Sequence, residues 1–247
     1  GTSTGGIATL RVGGNANSLR IDSLVTSFKD DGFIRTIGTF TLGETGIITT
    51  TEPLIATNIV ITTIDQSSVL ASKTINLNDI STVISSVKGH STYKTTITGS
   101  ALTGLTVTQG VVDVSGVTTA PGSIALNVAA SAPVTVTATN RLIDSLSGTA
   151  AIEVNGAEDV NVNGSITSLT VSGAITGAVT GLYINNNAVI TTLNINQTVA
   201  RIGAGSPSYI TTLTLGENGV ITSFAGAGNV TITNIDQSSI NFNKSLN

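Results

Sequence analysis

Short runs of β-branched residues alternate with Thr, Ser, Asn and Gly along the whole chain. A six-residue pattern, apolar-Thr-x-Leu-x-apolar, recurs as ITSLTV from Ile166, VTGLYI from Val179, ITTLNI from Ile190 and ITTLTL from Ile210. ITSF from Ile221 and ITNI from Ile232 are clipped versions, and IATLRV from Ile7 and LTGLTV from Leu102 carry the pattern toward the start. The steps from Ile166 to Ile190, Ile210 and Ile232 are 24, 20 and 22 residues, with Val179 and Ile221 about midway. That spacing predicts coils of about 22 residues, each with two main strands. The Val, Ile and Thr content of each hexad suits a strand, and its Leu positions (Leu105, Leu169, Leu182, Leu193 and Leu213) are expected to point inward. Alternation alone cannot put the first, fourth and sixth residues on one face, so a bend is expected within some hexads.

The segments between hexads carry turn chemistry: residues 43–46, Asn155-Gly156, Asn163-Gly164, residues 185–187, 216–219 and 226–228. In an antiparallel sheet such dipeptides close two-residue hairpins, which gives a β-sandwich or jelly roll as the alternative. Spaced along coils, they instead turn the corners of a parallel solenoid whose buried Ile, Val and Leu form inward ladders. The expected fold is therefore all-β, a parallel β-solenoid (β-helix). It forms a single elongated β domain over residues 1–247, and any boundary is expected near residues 88–100. One segment has helical spacing: across residues 78–89, Ile80, Val83, Ile84 and Val87 fall at i, i+3, i+4 and i+7 between an Asn78 cap and a Gly89 stop. Its Ser, Thr and Val content argues equally for another strand and loop.

A longer internal match supports the repeat. NIVITTIDQSSV from Asn58 and NVTITNIDQSSI from Asn229 align without a gap at an offset of 171, and TLGETGIIT from Thr41 matches TLGENGVIT from Thr214. Two distant stretches should share one local structure.

Composition removes several function classes. The 247 residues are 40% apolar, 3% aromatic and 10% charged, with 10 Lys and Arg against 14 Asp and Glu. A net charge of −4 offers no electrostatic footprint for nucleic acid or for a polybasic membrane contact. No apolar run approaches the length of about 18 residues that a spanning helix needs. With no Cys, the chain has neither a disulfide framework nor a thiolate site. A start at Gly1 fits removal of a secretion signal and equally a cloning scar.

Candidate chemistry is sparse. His90 is the sole histidine and has no second ligand at a useful spacing, so it reads as a loop residue. Asp30-Asp31 and Glu158-Asp159 are the adjacent acidic pairs, and they lack the setting of a glycosidase acid and base. Asp30 and Asp31 with nearby carbonyls are the weak candidates for a cation site, without EF-hand spacing. No catalytic residue and no cofactor is expected. The repeated Asp-Gln-Ser-Ser at Asp65 and Asp236 reads as a strand-ending corner in which Asp bonds the local backbone. Sequons stand at Asn163, Asn196, Asn229 and Asn243 as candidate glycosylation sites if the protein is extracellular.

In its coil-length repeats and its Thr, Ser, Asn and Gly richness, the chain resembles secreted parallel β-solenoids and the structural subunits of prokaryotic surface filaments and surface layers. The resemblance implies an extracellular, cell-surface protein that is not an enzyme and whose main partner is itself, with glycans a further partner. The open strand edges of a solenoid with few charges to blunt them favour polymerisation by strand donation or by end-to-end stacking. Ile7, Leu10 and Val12 of the IATLRV strand are the candidate assembly residues. Two other classes remain as alternatives. Thr-x-Thr motifs, as at Thr39, Thr96, Thr106 and Thr212, resemble those of ice-binding solenoids but lack one motif per coil at constant register. Pectate-lyase-like solenoids share the coil length and imply a polysaccharide-binding or polysaccharide-cleaving protein, but the chain lacks their clustered Asp with a partnering Arg.

Overall fold

The computed structural model describes residues 6–51, 59–77, 83–99, 102, 104–117, 125–225 and 228–238. Their regular structure is strand throughout. The chain divides into two compact units, Gly1–Ala125 and Leu126–Asn247, and the polar stretch 88–94 lies inside the first.

The first unit contains β1 (Ile7–Val12), β2 (Ala16–Ile21), β3 (Leu24–Asp30), β4 (Arg35–Leu42), β5 (Ile47–Thr51), β6 (Ile59–Asp65), β7 (Lys73–Asn76), β8 (Val83–Lys88), β9 (Thr95–Gly99) and β10 (Gly104–Val117). β1, β3 and β5 stack as one sheet, while β2, β4, β6, β8 and β10 stack as a second. β7 and β9 continue onto the far part of β10. These ladders are parallel, and apart from β9 on β10 each strand lies on the equivalent strand of the next coil rather than on its chain neighbour. The antiparallel alternative is thereby corrected. The Gly- and Asn-containing segments turn coil corners, as at Gly43 and Gly46, where the Gly43 N–H donates to the Ile21 carbonyl one coil below.

The second unit contains β11 (Ala125–Ala130), β12 (Val134–Ile175), β13 (Leu182–Ile184), β14 (Val189–Ile195), β15 (Thr198–Val199), β16 (Ile202–Ala204), β17 (Ser208–Leu215), β18 (Val220–Ile221) and β19 (Val230–Ile235). β12 is one continuous run of 42 residues that bends at positive-φ positions, Asn140, Gly148 and Gly156. It supplies successive partners for β11, β13, β14 and β15. Three stacks then continue in parallel: β12, β14, β17 and β19; β12, β13 and β16; β12, β15 and β18. The offset between stacked residues runs from 17, with Thr95 opposite Val112, to 24, with Ile166 opposite Ile190. Both units are thus parallel β-solenoids with coils near the 22-residue spacing read from the sequence.

The core is a set of aliphatic ladders. In ITSLTV, ITTLNI and ITTLTL the first, fourth and sixth residues are buried and the two between the first and fourth face outward. Two successive outward residues mark the bend. All five expected leucines are buried: Leu105, Leu169, Leu182, Leu193 and Leu213. Of the two readings of residues 78–89, the strand holds and the helix does not: Val83–Lys88 is the strand β8 on β6, and residues 78–82 lie outside those described. Ile84 and Val87 are buried because ISSVKG is another bent hexad, whose first and fourth residues mimic a helical i, i+3 spacing.

Candidate assembly faces

The inward ladders are closed in mid-stack and open at the terminal rungs. Ile210 is opposite Ile232, and Leu213 is opposite Ile235. Ile210 and Leu213 are fully buried, whereas Ile232 is half-buried and Ile235 is 48% exposed. The same holds where Ile202 bridges to Phe224 and Val199 pairs with Ile221: the inner partners are buried and Phe224 is 40% exposed. A depression of about 520 Å³ at this face is lined by Ile202, Ala204, Phe224, Val230 and Ile232, among others. Among the described residues, no strand lies on the far edge of β19 or β18.

The duplicated segment makes the comparison within one chain. β6 and β19 carry nearly the same sequence, so Ile61 and Ile64 correspond to Ile232 and Ile235. In β6 both are buried, because β4 lies on one side and β8 on the other. In β19 β17 covers only one side. The duplicated residues therefore differ in exposure through the missing neighbour, not through their chemistry.

In the first unit, β1 pairs with β3 of its own chain. Ile7 is 38% exposed although its partner Val25 is fully buried, Leu10 is half-buried against Phe28, and Val12 is nearly closed off. Among the described residues, β1 and β2 end their sheets, so this rung too has no further strand on its outer edge. Residues 1–5 lie outside those described.

The polar candidates occupy corners. His90 Nδ1 accepts from the backbone N–H groups of Thr92 and Tyr93 at 3.0 and 3.2 Å, and its ring sits 4.9 Å from that of Tyr93. The histidine folds a turn around itself. Asp31 is gripped by Arg35, with Nη2 to Oδ2 at 2.6 Å and Nε to Oδ1 at 3.0 Å, and also accepts from the Phe33 N–H. The Arg35 guanidinium holds the Asp31 carboxyl below the usual carboxylate range, and Asp31 raises Arg35 in return. The side chain of Asp30 lies outside the described residues, among which no three His, Asp or Glu groups gather as a cation site. Glu158 is exposed, and Asp159 accepts from the Gly181 N–H at 2.6 Å.

Asp65 and Asp236 make the same bonds in both copies of the duplication. The Ser67 N–H and hydroxyl donate to Asp65 Oδ1 at 3.0 and 2.6 Å, and those of Ser238 to Asp236 Oδ1 at 2.9 and 2.6 Å. Lys73 Nζ reaches the Gly46 carbonyl at 3.0 Å, and desolvation lowers its pKa. Outward hydroxyls stack as Ser168, Thr192 and Thr212, but Asn234 ends that row and Asn194 interrupts the adjacent row between Thr170 and Thr214. Of the sequon residues, Asn163, Asn196 and Asn229 are exposed and Asn243 lies outside those described.

The sequence singled out Ile7, Leu10 and Val12 of the first rung but not Ile232 and Ile235 of the last, which the duplication reveals once it is read together with which copy is covered. Comparison with protein-family models, with curated proteins and with solved structures gives no match for this chain.

Proposed function

We propose that this chain is an extracellular structural protein, a self-assembling subunit of a surface filament or layer, in which the last rung of one copy stacks on the first rung of the next. The observation that carries the reading is the contrast between buried Ile61 and Ile64 and their duplicates, half-buried Ile232 and exposed Ile235. Stacking is favoured over strand donation because β1 already has a partner in its own chain. The ladders that end at each of these rungs are parallel, so each open edge suits a strand of the same direction as its own. The extracellular setting rests on the compositional resemblance to secreted solenoids.

The energetics require both the ladder and the core. Covering half-exposed Ile235, Phe224 and Val220 contributes roughly 1 kcal/mol each, which does not by itself offset an association cost of about 4–15 kcal/mol. The backbone bonds that β18 and β19 can offer supply register and the remainder. Electron microscopy of the purified protein tests the reading. Filaments or sheets with a repeat along the strand-stacking direction are expected, and protein that stays monomeric at every concentration would overturn it.

A further inference from the structure

A second surface of the Leu126–Asn247 unit shares no lining residue with the depression at its terminal rung and has a different chemistry. A shallow groove of about 420 Å³ runs across successive coils and is lined by Asp144, Asn161, Asn163, Tyr183, Asn185 and Arg201, with Val179 and Thr180 at its rim. The coils place these residues together: Asn161 is opposite Tyr183 and Tyr183 is opposite Gly203 in the ladder of β12, β13 and β16. Three coils at about 4.8 Å spacing make such a groove on the order of 10 Å long or more.

Two features organise it. First, a Cβ at Gly203 would come within 2.8 Å of the Tyr183 ring, so glycine on the next coil is what lets the ring lie against the surface. Second, the amides are locked in sequence. Asn185 Nδ2 donates to Asn163 Oδ1, and Asn163 Nδ2 donates to the Asp144 carbonyl at 2.9 Å. Asp144 is itself fixed, its Oδ2 accepting from the Leu126 N–H at 2.9 Å, and Arg201 Nε donates to the Ala225 carbonyl at 3.3 Å. The polar groups are thus held before any ligand arrives, which lowers the ordering cost of binding.

We propose that this groove binds a neutral oligosaccharide chain. A sugar ring has an apolar C–H face that suits an aromatic platform, and its hydroxyls both donate and accept. The groove offers the counterparts: the Tyr183 ring, carboxylate and amide oxygens as acceptors, and amide and guanidinium N–H groups as donors. Its one cation and one anion, Arg201 and Asp144, offset each other, so an acidic glycan gains no net attraction. Asn163, although in a sequon, serves the groove through its amide, and a glycan attached there would remove the donor that fixes it.

The inference is independent of polymerisation and is tested by calorimetric titration of the full chain with cellotetraose, maltotetraose, tetra-N-acetylchitotetraose and, as the acidic comparator, tetragalacturonate. At least one neutral tetrasaccharide is expected to bind and tetragalacturonate to bind more weakly. Tyr183→Ala should weaken binding by about tenfold, whereas Tyr183→Phe should retain it. Tyr209→Ala, an exposed tyrosine on β17 outside the groove, should leave it unchanged. A thermal midpoint for each variant separates loss of binding from loss of fold. No binding by any neutral tetrasaccharide, preference for tetragalacturonate, or full affinity in the folded Tyr183→Ala variant would each overturn the proposal.

Discussion

Asp65 and Asp236 hold corners through short-range bonds, whereas Asp144 and Asp159 accept across coils from the Leu126 and Gly181 N–H groups. Asp65 fixes Ser67 through two hydrogen bonds, so Asp65→Ala should destabilise the chain by about 1 kcal/mol in a urea titration. Glu158→Ala, at an exposed position, should change it by no more than about 0.5 kcal/mol. The pH dependence follows from two other carboxylates held below their usual range: Asp31 by Arg35, and Asp236 by the hydroxyl and N–H of Ser238. A lowered folded-state pKa means that the unfolded chain binds more protons as pH falls. The contribution of each is complete above the ordinary carboxyl value of about 3.9 and is lost as pH drops through the lowered folded value. Thermal midpoints recorded downward from pH 5 should therefore fall less steeply for Asp31→Asn than for the parent. An identical slope would show that the Arg35 fork adds nothing in acid.

At the scale of the element, the unit of this fold is a bent hexad rather than a straight strand. Its two outward residues in succession account for what the sequence made legible and what it hid. The recurrence of ITTLNI and ITTLTL exposes the coil spacing, and their leucines fall inward as expected. The same bend makes Ile84 and Val87 look helical, because buried residues three apart belong to both geometries. Leu193→Ala should cost about 2–5 kcal/mol through the cavity it leaves between Leu169 and Leu213, while Thr191→Ala, one bend away and exposed, should stay within about 0.5 kcal/mol. Corners are equally strict. A Cβ at Gly219 would lie 1.9 Å from the Ile195 carbonyl oxygen, and at the duplicate Gly46 it would lie 2.1 Å from that of Ile21. Gly219→Ala should therefore lower the thermal midpoint although the residue has no side chain to lose. The groove was illegible for another reason. Asn163 and Asn185 are one coil apart, but coil offsets of 17 to 24 residues prevent the pairing from being counted along the sequence.

For the whole molecule, the proposed stacking sets two different faces against each other. Leu10 belongs to the first rung and Ile235 to the last, so stacking one upon the other would be a heterologous contact, which extends from copy to copy rather than stopping at a two-fold dimer. This predicts more than the loss of filaments in a single variant. Leu10→Lys should spoil the first face and leave the last one able to receive a partner, and Ile235→Lys should do the reverse. Each variant alone should remain monomeric with a thermal midpoint near that of the parent, because both positions are already partly exposed. Mixed in equal amounts, they should form a dimer of one copy of each, the intact last face of Leu10→Lys on the intact first face of Ile235→Lys, and grow no further. Sedimentation velocity distinguishes the outcomes. If the faces instead joined like to like, each variant alone would dimerise through its intact face, and mixing would add nothing. If assembly used the lateral surface, both variants would still polymerise, and the terminal exposure of Ile235 and Ile7 would have no part in it.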